Sequence, residues 1–183
     1  MRTATRLVIL FLLMVAVASA RKRDPLTEAE ADQIRHAALE PQTRLKLYIK
    51  FTDARLASIE TLRSAPQPGT DRGRRIHDLL EDFTALLDEI NDNLDTYQGR
   101  PLTKDDRKDF RKGVKAVVEA CDQWDGKMKT LKAALETDPE LKKDYPDFRF
   151  VLQDAEEALK STAEMAREYS EYKDVDEKPE KKK

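Results

Sequence analysis

The chain has 183 residues, of which 38% are charged, and it contains only 5 glycines, 2 histidines and 1 cysteine. This length suits one domain with a core of modest size. The scarcity of glycine argues against an all-β fold, which needs many tight turns, and a single cysteine excludes an intramolecular disulfide scaffold. The formal net charge of −2 gives no excess of positive charge, so general nucleic-acid binding is not expected.

The N-terminal segment predicts export. Arg2 and Arg6 precede an unbroken apolar run over residues 7–18, and Ala18-Ser19-Ala20 supplies the small residues that a signal peptidase needs. The run is shorter than the roughly 20 residues of a membrane-spanning helix. We therefore predict that residues 1–20 are a cleaved signal peptide and that this is a bacterial protein, secreted or periplasmic.

One feature of this segment favours a different outcome. The basic residues 21–23 follow the apolar run directly, and positive charge at that place resists translocation. An uncleaved N-terminal membrane anchor over residues 7–20 is therefore the alternative. Cleavage would remove two of the 34 basic residues and none of the 36 acidic ones, so the mature protein would be more acidic, with no stable transmembrane domain.

The rest of the chain reads as helical. Breaks are expected at Pro41, at residues 66–69 and 99–101, and in a segment bracketed by residues 138–139 and 145–146. Between these breaks, apolar residues recur at steps of three and four, which is typical of amphipathic helices. The pattern predicts a short helix at about 27–39 and then four helices of roughly 23–33 residues, each ~35–50 Å long. The fourth long helix is predicted to begin near Pro146.

Four apolar stripes can be buried together in a single core. Because the connections are short, we predict an all-α fold: an antiparallel up-down-up-down four-helix bundle with an extra short N-terminal helix, spanning residues 21–172. Thr27 with Glu30 and Thr103 with Asp106 have the spacing of helix caps. Residues 173–183 are almost wholly charged and are predicted to be a disordered tail.

The stripes offer little chemistry. Their polar members are Thr52 and Thr162, and threonine in a helix can bond to its own backbone. Cys121 lies within the stripe of the third long helix, where we expect a buried thiol, and Gly113 lies at the edge of that stripe, where another helix could approach. The sequence has no Glu-x-x-His pair, Cys-x-x-Cys-His, His-Glu-x-x-His, glycine-rich phosphate loop or Gly-x-Ser-x-Gly. We therefore expect no enzyme activity and no cofactor.

Two surface features are candidate sites. The first is a basic ridge at the start of the third long helix, which could bind an anionic macromolecule; it consists of Lys104, Arg107, Lys108, Arg111 and Lys115. Acidic residues lie among these side chains and on the fourth long helix, so pairing within the fold is the competing interpretation.

The second candidate is a metal site made of Asp32, His36 and Glu40, which are spaced by four residues and could share one helix face. His77 with Glu81 is a weaker version of the same pattern. The leading functional hypothesis is a non-enzymatic exported bundle that acts through surface contact with a macromolecular partner, either an anionic envelope component or a protein. A metal- or small-ligand-binding bundle and a membrane-anchored helical protein are the alternatives.

Overall fold

The computed structural model describes residues 23–65 and 69–171. These residues form five helices, namely α1 (Glu28–His36), α2 (Pro41–Arg63), α3 (Arg72–Gln98), α4 (Lys104–Thr137) and α5 (Pro139–Glu171). The predicted all-α bundle with a short N-terminal helix is confirmed. The predicted signal peptide, residues 1–20, and the predicted tail, residues 173–183, lie outside the described residues.

The helices begin where local chemistry predicts. The Thr27 hydroxyl accepts from the Glu30 amide, while the Glu30 carboxylate accepts from the Thr27 amide, which completes a capping box. Pro41 occupies the first turn of α2, where its missing N–H costs nothing. The Thr103 hydroxyl accepts from the Asp106 amide at the start of α4.

The start of α5 differs from the prediction. The helix begins at Pro139 and continues through Pro146, so the expectation that the break extends to residues 145–146 is wrong. The Asp138 carboxylate accepts from the amides of Glu140 and Leu141 and caps the helix seven residues earlier than expected. Leu141 and Phe148 are both buried, and packing of these two side chains on one face outweighs the cost of an exposed internal proline.

The four long helices alternate in direction, and the order of packing is set by tertiary contacts. Helix α2 packs against α3 and α4, and α5 packs against α3 and α4. Sequence-adjacent α3 and α4 therefore lie diagonally opposite each other, although the chain between them, residues 99–103, is short. Side chains of α3 and α4 still make contact across the core. The rings of Phe83 and Trp124 lie edge to face, with 6.0 Å between their centroids.

The neighbours α2 and α4 run parallel, as do α3 and α5. A Cβ on Gly113 would lie 2.8 Å from Leu45 Cδ1, so the predicted approach of another helix at Gly113 is confirmed and the partner is α2. At the other end of the bundle, Gly73 at the start of α3 lies against Asp144 and Asp147 near the start of α5. The beginnings of α2 and α4 thus form one end of the bundle, and the beginnings of α3 and α5 form the other.

No helix within residues 23–65 and 69–171 combines the length and the apolar character of a membrane span.

Candidate functional site

The interior of the described bundle is a packed apolar core. Trp124, Tyr48, Phe83 and Phe148 are among its largest fully buried side chains. Cys121 is buried as predicted, and burial raises the pKa of its thiol to about 12. A thiol that stays protonated is a poor nucleophile and a poor metal ligand.

The buried threonines and Arg72 have polar partners within the fold. Thr52 Oγ1 donates to the Tyr48 carbonyl at 2.8 Å, and Thr162 Oγ1 donates to the Ala158 carbonyl at 3.0 Å, as expected for threonine tolerated in a core. Arg72 is ion-paired with Asp144. Among the residues described, the core therefore presents no cluster of polar side chains that could bind a ligand.

The basic ridge lies on the outside of α4. Lys104, Lys108 and Lys115 are exposed together with Arg111, and Arg107 is half-buried at the edge of the ridge. At 100° per residue, the four exposed side chains project from one side of the helix. The buried stripe that carries Val114 and Val117 faces the core on the other side. Both arginines already take part in polar interactions. The exposed lysines are therefore the part of the ridge most available to a partner.

Tertiary packing also brings a lysine of α2 close enough to influence Asp109 of α4. Asp109 Oδ1 accepts a hydrogen bond from Lys112 Nζ at 2.7 Å, and this bond lowers the pKa of the Asp109 carboxyl, with smaller contributions from Lys108 and Lys46. Lys46 belongs to α2 and is also exposed. Its contribution could not be read from the sequence of α4, because it depends on the parallel packing of α2 beside α4.

Two glutamates of α5 that were expected to compete for the ridge pair elsewhere. Glu156 lies 3.0 Å from Lys132, and Glu164 lies 4.0 Å from Lys160. Because α5 runs antiparallel to α4, these residues lie beside the middle of α4 rather than beside its beginning. In the described structure, Glu156 and Glu164 therefore form no ion pairs with the lysines of the ridge.

The sequence-predicted metal residues are arranged differently from the expectation. Helix α1 ends at His36, so the expectation that Asp32, His36 and Glu40 share one helix face is wrong. His36 Nδ1 lies 2.8 Å from the Asp32 backbone oxygen, while the Asp32 carboxylate pairs with Arg35 and the Glu40 carboxylate accepts from Thr43. The local reason is the turn at residues 37–39, which redirects the chain before α2.

The other histidine has closer acidic neighbours. Ligand atoms of His77, Asp78 and Glu81 all lie within 4.8 Å of one another. Among the described residues, this is the group of three potential metal ligands that lie close enough together to hold one ion. The spacing in the sequence relates His77 only to Glu81. The adjacent Asp78 gives no such signal, because neighbouring helical positions point in different directions and their side chains converge only for particular rotamers.

A second polar cluster was not predicted at all. In this N-terminal ion cluster, Arg55 of α2 donates to both carboxylate oxygens of Glu30 at 2.8 and 2.6 Å, and Arg23 donates to Asp82 of α3. Arg55 Nε also lies 3.7 Å from Asp82. The hydrogen bond from Arg55 lowers the pKa of Glu30 to about 2, whereas burial raises the pKa of Asp82. The cluster fastens the N-terminal segment to α2 and α3.

Comparison of the chain with protein-family models, with curated proteins and with solved structures gives no significant match.

Proposed function

We propose that this protein is an exported, non-enzymatic helical bundle that binds an anionic macromolecule through the basic ridge. The observation that supports it best is the exposure of Lys104, Lys108 and Lys115 on one side of α4. Positive side chains gathered on one surface attract an anionic partner and speed the encounter with it. The packed apolar core favours a function on the surface rather than in the interior.

The ridge proposal predicts a selective loss of binding. Replacing Lys108, Arg111 and Lys115 by glutamate should abolish capture of the partner from an envelope extract, because the reversed charges repel an anionic surface. Capture by the wild-type protein should also weaken as salt is raised, since exposed charges are screened. The measurement is affinity capture followed by mass spectrometry, with circular dichroism to verify that the helices are intact.

A matched control separates the ridge from net charge. Lys129, Lys132 and Lys143 are exposed lysines outside the ridge, and their triple reversal changes the net charge by the same amount. This control should retain the partner that the ridge variant loses. Equal capture by the ridge variant and the wild type would remove the ridge from consideration, and equal loss in both variants would reduce the effect to overall charge.

Export is proposed from the sequence of residues 1–20. If the signal peptide is cleaved after Ala20, N-terminal sequencing of the exported protein will begin at Arg21. A chain that starts at Met1 and fractionates with membranes would instead support the uncleaved anchor over residues 7–20. The predicted mature protein would begin two residues before Arg23, the first described residue, which is ion-paired with Asp82.

A further inference from the structure

We propose that His77, Asp78 and Glu81 form a binding site for a divalent transition-metal ion near the start of α3. His77 Nδ1 lies 3.6 Å from Asp78 Oδ1 and 3.9 Å from Glu81 Oε2. Two ligand atoms on one tetrahedral zinc ion are about 3.3 Å apart, given metal–ligand bonds of about 2.0–2.1 Å. Small rotamer adjustments of partly exposed side chains are therefore enough to bring the three ligand atoms around one ion.

The helix itself brings these side chains together. His77 and Glu81 are four residues apart, so they lie above one another on the same side of α3. Asp78 reaches the same region from the adjacent position. His77 and Asp78 are partly exposed and Glu81 is more exposed, so an ion can enter from solvent and water molecules can complete its coordination.

Arg23 provides an independent element of the site, because it orients Asp78 from outside the trio. Arg23 NH1 lies 3.6 Å from Asp78 Oδ2, and Arg23 NH2 donates to the Asp78 backbone oxygen at 3.2 Å. The second carboxylate oxygen, Oδ1, is the one that faces His77. In protein metal sites, the ligating side chains are commonly oriented by hydrogen bonds or ion pairs to groups that do not contact the metal.

The ligand chemistry favours zinc-class ions. An imidazole with two carboxylates suits Zn²⁺ and neighbouring transition metals, whereas Mg²⁺ and Ca²⁺ prefer all-oxygen sites. The site lies on α3, at the end of the bundle where α3 and α5 begin. The basic ridge lies on the diagonally opposite helix α4 and at the other end, so this inference goes beyond the proposed function and does not depend on it.

The test is titration of the purified untagged protein with Zn²⁺ in an isothermal calorimeter. We expect one ion per chain at micromolar zinc, and we expect His77→Ala and Glu81→Ala each to weaken binding by about tenfold or more. The matched control is His36→Ala, which replaces the other histidine of the chain and should leave binding unchanged. Circular dichroism of each variant verifies that α3 is still folded.

Three outcomes would overturn the inference. The first is the absence of heat from the wild-type protein at micromolar zinc. The second is loss of binding in His36→Ala instead of His77→Ala, which would transfer the site to α1. The third is unchanged binding in Glu81→Ala, which would show a single histidine contact rather than a chelating site. Partner capture by the ridge is a separate readout and is unaffected by any of these results.

Discussion

The N-terminal ion cluster and the basic ridge use charged side chains in opposite ways. In the cluster, the Arg55 and Glu30 side chains are only 11% and 14% exposed, and they make two hydrogen bonds to each other. On the ridge, Lys104, Lys108 and Lys115 project into solvent. The cluster joins an N-terminal segment and two helices, whereas the ridge belongs mainly to one helix.

This comparison shows where charge contributes to folding and where it remains available for binding. Removing one member of a buried ion pair leaves its partner desolvated and uncompensated, which is strongly destabilising. An exposed charge keeps its hydration, so its removal costs little. We therefore expect substitutions in the cluster to change stability and substitutions in the ridge to change binding.

The largest effect is expected at Arg55. Arg55→Ala removes both bonds to Glu30 and leaves Asp82 with one fewer cation, so we expect the free energy of unfolding to fall by about 3 kcal/mol. Urea denaturation of the wild type and the variant measures this difference in the free energy of unfolding. The control is Arg63→Ala in the same helix, whose ion pair with Glu60 is exposed on the carboxylate side and should contribute about 1 kcal/mol or less. Equal losses in the two variants would contradict the distinction between buried and exposed pairs.

A smaller effect is expected from the titration of Glu30. The pKa of Glu30 is lowered from 4.5 to about 2 in the folded protein, chiefly by the hydrogen bond from Arg55. A lowered carboxyl pKa stabilises the fold above the unfolded pKa, and this stabilisation is lost as pH falls through the folded pKa. The difference in unfolding free energy between wild type and Glu30→Gln should therefore shrink as pH drops from about 4.5 towards 2.

Glu60→Gln is the comparison for this pH series. In the wild-type protein, the hydrogen bond that Arg63 donates to Glu60 also lowers the pKa of Glu60. The Glu60 side chain, however, is 55% exposed. We expect the same direction of change with a smaller amplitude, because solvent screens the pair. A difference between wild type and Glu30→Gln that stays constant with pH would show that the carboxylate charge of Glu30 does not contribute to the fold.

The smallest effect on stability is expected for the ridge variant with Lys108, Arg111 and Lys115 replaced by glutamate. These side chains are exposed, and surface substitutions usually change stability by a few tenths of a kcal/mol each. The unfolding free energy of the triple variant should stay within about 1 kcal/mol of the wild-type value. A larger loss by urea denaturation would place the ridge among the structural ion pairs, and any loss of partner capture would then have a structural cause.

Much of the architecture was determined by the sequence alone. The apolar periods predict the four long helices, and the caps at Thr27 and Thr103 predict two helix starts, because both signals act within a few residues along the chain. The exposed ridge was also predictable, since the spacing of its lysines is a property of one helix. The start of α5 was not, because the favourable burial of Leu141 and Phe148 outweighs the local signal of Pro146.

Only the tertiary structure decided which helices are neighbours and which charges meet. Short connections allow both a sequential and a diagonal order, and the choice of α4 beside α2 depends on side chains that fit across the core, such as Leu45 against Gly113. Arg23, Glu30, Arg55 and Asp82 are separated by up to 59 positions, and no local pattern relates them. Their pairing is a consequence of packing, because the energy of a desolvated ion pair exists only after the helices have met.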